Sequence, residues 1–122
     1  MLLIGSEPVR VSMCHCLACQ KRTGSAFGVQ ARFPRRQVTT EGRTATYQRT
    51  GDSGGIVTFR FCPECGSTVF WENESSPETV SVAVGSFADP TFPAPVRTVW
   101  TESKHGWLQF PAAMPHYPKN PG

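Results

Sequence analysis

The sequence predicts an all-β domain. Two observations carry that reading: short segments in which apolar and polar residues alternate, and frequent turn formers between them. Eleven glycines and eleven prolines among 122 residues supply many turns without making the chain low-complexity. A chain of this length holds one modest core, so residues 1–122 read as a single domain, with 87–122 as a proline-rich C-terminal arm.

Val9 to Met13 alternates and reads as a strand running into Cys14. In extended backbone, residues two apart point the same way, so Cys14 and Cys16 share a side and His15 takes the other. Leu17 to Thr23 reads as a helical turn that returns Cys19 toward them, stopped by Gly24. Phe27, Val29, Ala31 and Phe33 alternate with Gly28, Gln30 and Arg32, a half-buried strand ended by Pro34. Thr44 to Arg49 is a further strand, 51–55 a loop, and Ile56 to Phe61 a strand delivering Cys62. Thr68 to Glu72 is its partner, 73–78 a polar turn, and Thr79 to Val84 another alternating strand. Seven of the eleven prolines fall in the arm, which leaves room for one strand, Val96 to Thr101. The arm's Trp100, Trp107, Phe110 and Tyr117 predict that it packs onto the sheet.

The net charge of +3 is scattered, which argues against a nucleic-acid surface. No stretch reaches the roughly 18 apolar residues of a membrane span, and the opening Met1-Leu2-Leu3-Ile4 lacks the basic flank of a secretory leader. A cytoplasmic location is therefore expected. In that compartment clustered cysteines are more often metal ligands or catalytic thiols than disulfides.

All five cysteines lie in two knots, Cys14-x-Cys16-x2-Cys19 and Cys62-Pro63-Glu64-Cys65-Gly66. Such spacing suits zinc, because a short turn lets paired thiolates reach one ion from the same side. The odd total leaves either one spare thiol or two sites of which one is incomplete. Cys14, Cys16 and Cys19 could hold zinc with its fourth position open, as in catalytic sites, or a cysteine of the second knot could close it. The second knot has knuckle form: Pro63 fixes the first step, and Gly66 lets the backbone curl toward the sulfurs. A redox pair is the weaker reading, since no βαβ pattern surrounds it.

Three segments taken together are more specific. Cys14-His15-Cys16-Leu17-Ala18-Cys19-Gln20-Lys21-Arg22-Thr23-Gly24-Ser25-Ala26-Phe27-Gly28, then Phe61 to Ser67, then Trp100 to Trp107, resemble in order the glutathione-dependent formaldehyde-activating enzyme family, which also includes centromere protein V. The resemblance implies a zinc-binding β-tent of small antiparallel sheets, related to a Rab exchange-factor-like zinc domain. It also implies two zincs, a catalytic one on Cys14, Cys16 and Cys19 and a structural one to which Cys62 and Cys65 contribute. The family's other structural pair, a Cys-x-Cys ahead of the segment resembling Gly5-Ser6-Glu7-Pro8, has no counterpart here, so an N-terminally short member is expected.

The implied activity is that of a carbon–sulfur lyase, adding glutathione to formaldehyde or a related aldehyde, or cleaving the adduct. Glutathione is anionic, which makes Lys21 and Arg22 candidates for holding it, with Arg32, Arg97 and Lys104 behind them. Glu102 is the acid/base candidate, and Trp100 and Trp107 are candidate pocket walls. The expected partners are thus a small thiol and an aldehyde, with no nucleic acid and no membrane. The rival is a non-catalytic, zinc-stabilised binding module, because a fold does not determine a function.

Overall fold

The structure is a computed structural model that describes residues 2–51 and 54–121. Its nine strands are β1 (Leu2–Ile4), β2 (Arg10–Cys14), β3 (Gly28–Pro34), β4 (Val38–Thr40), β5 (Ala45–Thr50), β6 (Ile56–Phe61), β7 (Thr68–Asn73), β8 (Thr79–Ala83) and β9 (Arg97–Val99). One helix, α1 (Leu17–Thr23), follows β2. The mainly-β class stands.

In place of the expected small antiparallel sheets there is one seven-stranded sheet, β5-β6-β7-β8-β3-β2-β9, beside a two-stranded ribbon, β1-β4. Strands close in sequence pair as antiparallel hairpins. β9 is the exception: it runs parallel to β2, because the arm returns along that strand's free edge. The ribbon was not expected from the sequence. Its two strands are three residues long, too short for an alternating pattern to register.

Period-two alternation divides the large sheet into two chemically different faces. On one face Val11, Ala31, Val82 and Phe70 stand opposite one another across β2, β3, β8 and β7, with Phe33 beside Val80. These six residues form the main core, and Leu2, Ile4 and Val38 of the ribbon pack against them. The other face carries Arg10, Ser12 and Cys14 of β2, Gln30 and Arg32 of β3, Ser81 of β8 and Trp71 of β7, matched in register.

Helix α1 ends as expected, at Gly24 in the left-handed region (φ 63°), with its N–H on the Gln20 carbonyl at 2.9 Å. The 51–55 loop is closed by Gly51 N–H on Gly55 O at 2.7 Å; Asp52 and Ser53 lie outside the described residues. The arm does pack on the sheet: Thr98 N–H bonds Pro115 O at 3.0 Å, and Tyr117 N–H bonds Thr98 O at 3.1 Å. The expected strand over Val96 to Thr101 is shorter, because Trp100 turns left-handed at φ 58°. No helix among the described residues is long and apolar enough to cross a membrane.

Phe33 is 2 % exposed and meets Phe87 edge-on, ring centres 6.3 Å apart. Phe33→Ala is expected to lower unfolding free energy by about 3–5 kcal/mol, measured by urea denaturation.

Candidate metal centre

Three local structures bring the first three cysteines together. Cys14 ends β2, Cys16 is the extended N-cap of α1 (φ −62°, ψ 152°), and Cys19 lies on the helix's first turn. The Cys19 N–H donates to Cys16 Sγ at 3.3 Å. All three sulfurs lie within 4.8 Å of one another, the one such cluster of metal-ligating side chains among the described residues. Sulfurs about 2.3 Å from a shared tetrahedral ion would stand about 3.8 Å apart, so the spacing fits a metal ion.

The loop between them is anchored from behind. His15 is fully buried on the side opposite the sulfurs, its Nε2 hydrogen-bonded to Thr98 Oγ1 at 2.7 Å, with the Phe27 and Phe110 rings close by. Burial first, and then Lys104, pushes its pKa down, favouring the neutral imidazole. Gln20 adds a second tether: its Nε2 donates to His15 O at 2.9 Å and Ser103 O at 3.0 Å. The β9 end and the turn after it thereby hold the cysteine loop.

The thiols share charge unequally. Hydrogen bonds from Cys14 and then Cys19 draw Cys16 down to about 2, with Arg49 helping further off. The same bonding, Cys16 first, pushes Cys14 well up. At Cys19 a hydrogen bond with Cys14 pulls down, but Cys16 and burial outweigh it and leave the thiol at about 11, against a smaller pull from Arg22. Of the three, Cys16 is the thiol whose surroundings most favour the thiolate, the form in which cysteine ligates a soft metal ion.

From these sulfurs a cavity of about 150 Å³ extends over the polar face of the sheet. Arg32, Arg49, Arg97, Trp71 and Trp100 are among its walls. Arg32 and Arg97 have lowered pKa values, first from burial and then from the neighbouring Arg10. Among the candidates named from sequence, then, Trp100, Arg32 and Arg97 reach the cavity. Trp107 does not, being 69 % exposed.

Lys21 and Arg22 line a neighbouring groove of about 520 Å³ that shares Arg49 and Phe59 with the cavity. The Arg22 guanidinium lies 4.4 Å from the centre of the Trp71 ring, its Nε and Nη2 buried without a hydrogen-bond partner among the described residues. Gly28 makes room for it, since a Cβ there would come within 2.8 Å of Nη2. Lys104 Nζ is occupied by the Leu108 carbonyl at 2.8 Å. Glu102 is exposed in the 3-10 turn Thr101–Ser103 and is not among the cavity's lining residues.

Cys62 and Cys65 sit apart from the first cluster, and all five cysteines are free thiols. Their turn has the expected knuckle form, with Gly66 at φ 79° and its N–H on Cys62 O at 2.8 Å. Exposed Cys65 has a lowered pKa, chiefly through the Ser67 side chain. Arg49 was missed by sequence reasoning. Its strand was legible, but not the pairing Arg49↔Val57, Phe59↔Trp71 and Trp71↔Ser81 that carries the polar face across to it.

Compared with known families, residues 2–103 match the model described as glutathione-dependent formaldehyde-activating enzyme. Curated proteins give no match. The matched span runs from β1 to the 3-10 turn after Trp100 and includes both cysteine knots.

Thr98→Val keeps the shape of the β9 side chain but removes the only hydrogen-bond partner of the His15 ring among the described residues. The expected loss is about 1–3 kcal/mol of unfolding free energy. An unchanged denaturation midpoint would show that this tether does not hold the cysteine loop.

Proposed function

The chain belongs to the glutathione-dependent formaldehyde-activating enzyme family, and we propose that it is a zinc-dependent enzyme of carbon–sulfur lyase type. It adds a thiol such as glutathione to formaldehyde or a related aldehyde, or cleaves the adduct. The observation that carries this reading is the triad of cysteine sulfurs within 4.8 Å of one another at one end of a cavity. Cys14, Cys16 and Cys19 would hold the zinc. When bound, zinc supplies Lewis-acid chemistry, keeping a thiol deprotonated near neutral pH or polarising an aldehyde oxygen.

The protein's own residues bind, orient and shield. Lys21 and Arg22 line the outer groove, where they can pair with the glutathione carboxylates while its sulfur enters the cavity. Trp71 and Trp100 on the cavity walls limit the water around the reacting carbon. The buried His15–Thr98 bond keeps the cysteine loop in one geometry, so no side chain must reorganise as the substrates arrive. Cys62 and Cys65, on their knuckle-shaped turn, form a second pair of zinc donors that needs two further ligands. Five free thiols fit a reducing compartment such as the cytoplasm.

The test combines metal analysis with turnover on the purified protein. Cys14→Ser, Cys16→Ser and Cys19→Ser should each lose about one equivalent of zinc, and with it the acceleration of S-hydroxymethylglutathione formation followed by NMR. Undiminished zinc in all three variants would overturn the metal assignment. No acceleration by zinc-loaded protein over the uncatalysed reaction would overturn the enzymatic one.

A further inference from the structure

The cavity beside the sulfurs carries more positive charge than formaldehyde can use. Arg32, Arg49 and Arg97 all line it. Arg10 stands directly opposite Arg32 in the β2–β3 register, and like charges in that position destabilise a sheet. Among the described residues the carboxylate ion pairs are those of Glu72 with Arg35 and Arg60, and none of these four arginines has one. Glu78 acts on Arg32 from further off, countering part of the effect of burial and Arg10.

Two of these guanidinium groups are nevertheless held by neighbours. Arg97 Nε donates to Ser12 Oγ at 3.3 Å and its guanidinium lies 5.9 Å from the Tyr117 ring centre, while that of Arg49 lies 5.5 Å from Phe59. Partly desolvated arginines with no carboxylate partner among the described residues are a site prepared for an anion.

Size and position narrow the choice. A cavity of about 150 Å³ is the volume known to accept a ligand the size of benzene, about six non-hydrogen atoms. Glutathione is much larger, and its peptide matches the outer groove of about 520 Å³ beside Lys21 and Arg22. Arg32 and Arg97, which line the cavity and not the groove, are left for the second substrate, with Arg49 at the boundary between the two.

We propose that this second substrate is a short oxo acid of the glyoxylate class, its carboxylate held by Arg32, Arg97 and Arg49 and its aldehyde carbon turned toward the cysteine end of the cavity. The proposal rests on the reading of the site as a thiol–aldehyde centre. In the reaction the thiol sulfur attacks the aldehyde carbon. One S–C bond forms, the carbonyl π bond breaks, and the thiol's proton ends on the former carbonyl oxygen, giving a carboxylated hemithioacetal. Atoms and charge balance without an oxidant or reductant.

The experiment has two arms, both on the full chain with its bound metal. The first measures rate enhancement over the uncatalysed reaction with glutathione and glyoxylate, its uncharged methyl ester, or formaldehyde. Glyoxylate should be favoured over the ester by about tenfold or more, with Arg97→Gln and Arg49→Gln each removing most of that preference. Arg49 lies on the edge strand β5, so its variant tests the idea even if replacing Arg97 disturbs the fold. The second arm titrates glyoxylate into the protein by calorimetry, without a thiol and then with saturating glutathione.

Arginine-dependent glyoxylate binding that survives glutathione supports the proposal. Equal enhancement for acid and ester, or glyoxylate displaced competitively by glutathione, overturns it; the latter would assign the arginines to the thiol's own carboxylates. Acceleration with formaldehyde but no glyoxylate binding would sink the carboxylate site alone. Arginine-dependent binding with no acceleration for any aldehyde would sink thiol addition and leave the carboxylate site standing.

Discussion

The two-residue period of the extended chain is the constraint on which this protein depends. In β2 and β3 it sends Val11, Ala31 and Phe33 to the core and Cys14, Gln30 and Arg32 to the opposite face. A shift of register by one residue would exchange the two sets, placing arginine in the core and apolar groups at the sulfurs. Stability and chemistry are therefore coupled. The row Val11–Ala31–Val82–Phe70 that fixes the register is also what brings Arg32, Ser81 and Trp71 into line behind it.

The cysteine loop adds a second coupling, between the sheet edge and the arm. Cys14 leaves β2 opposite Val99 of β9, and His15 N–H continues the contact on Val99 O at 3.1 Å. Behind the sulfurs, one buried imidazole bonds one buried threonine. The arm thus positions the loop although it contains no cysteine. On the cavity side the three sulfurs share a wall with guanidinium groups that have no carboxylate partner among the described residues. That meeting of three sulfurs with three arginines distinguishes this cavity from the other hollows among the described residues.

Most strands were legible because each is long enough to show alternation. Ile56 to Phe61 and the helical turn Leu17 to Thr23 fall where the pattern and the Gly24 stop place them. The ribbon β1-β4 escaped because three residues carry too little pattern. Within the site, the cysteine triad was legible from spacing alone, since its three sulfurs come from one short segment. Arg49 was not, because its place depends on four consecutive strand pairings that reach from β5 to β3. Glu102 shows the opposite case: closeness in sequence to Trp100 did not make it part of the wall that Trp100 forms.

By itself, then, the sequence determined what local geometry controls: the β class, the helical stop, the turn of the second knot, and a compact set of three sulfur donors with His15 turned away from them. Tertiary structure decided what depends on register and chain return. Those are the parallel docking of β9 on β2, the gathering of three arginines around one cavity, and the separation of Cys62 and Cys65 from the first cluster. The physical reason is range. Backbone periodicity and turn chemistry act over a few residues, whereas a pocket wall is assembled from strands far apart in the chain and exists only once their hydrogen-bond registers are set.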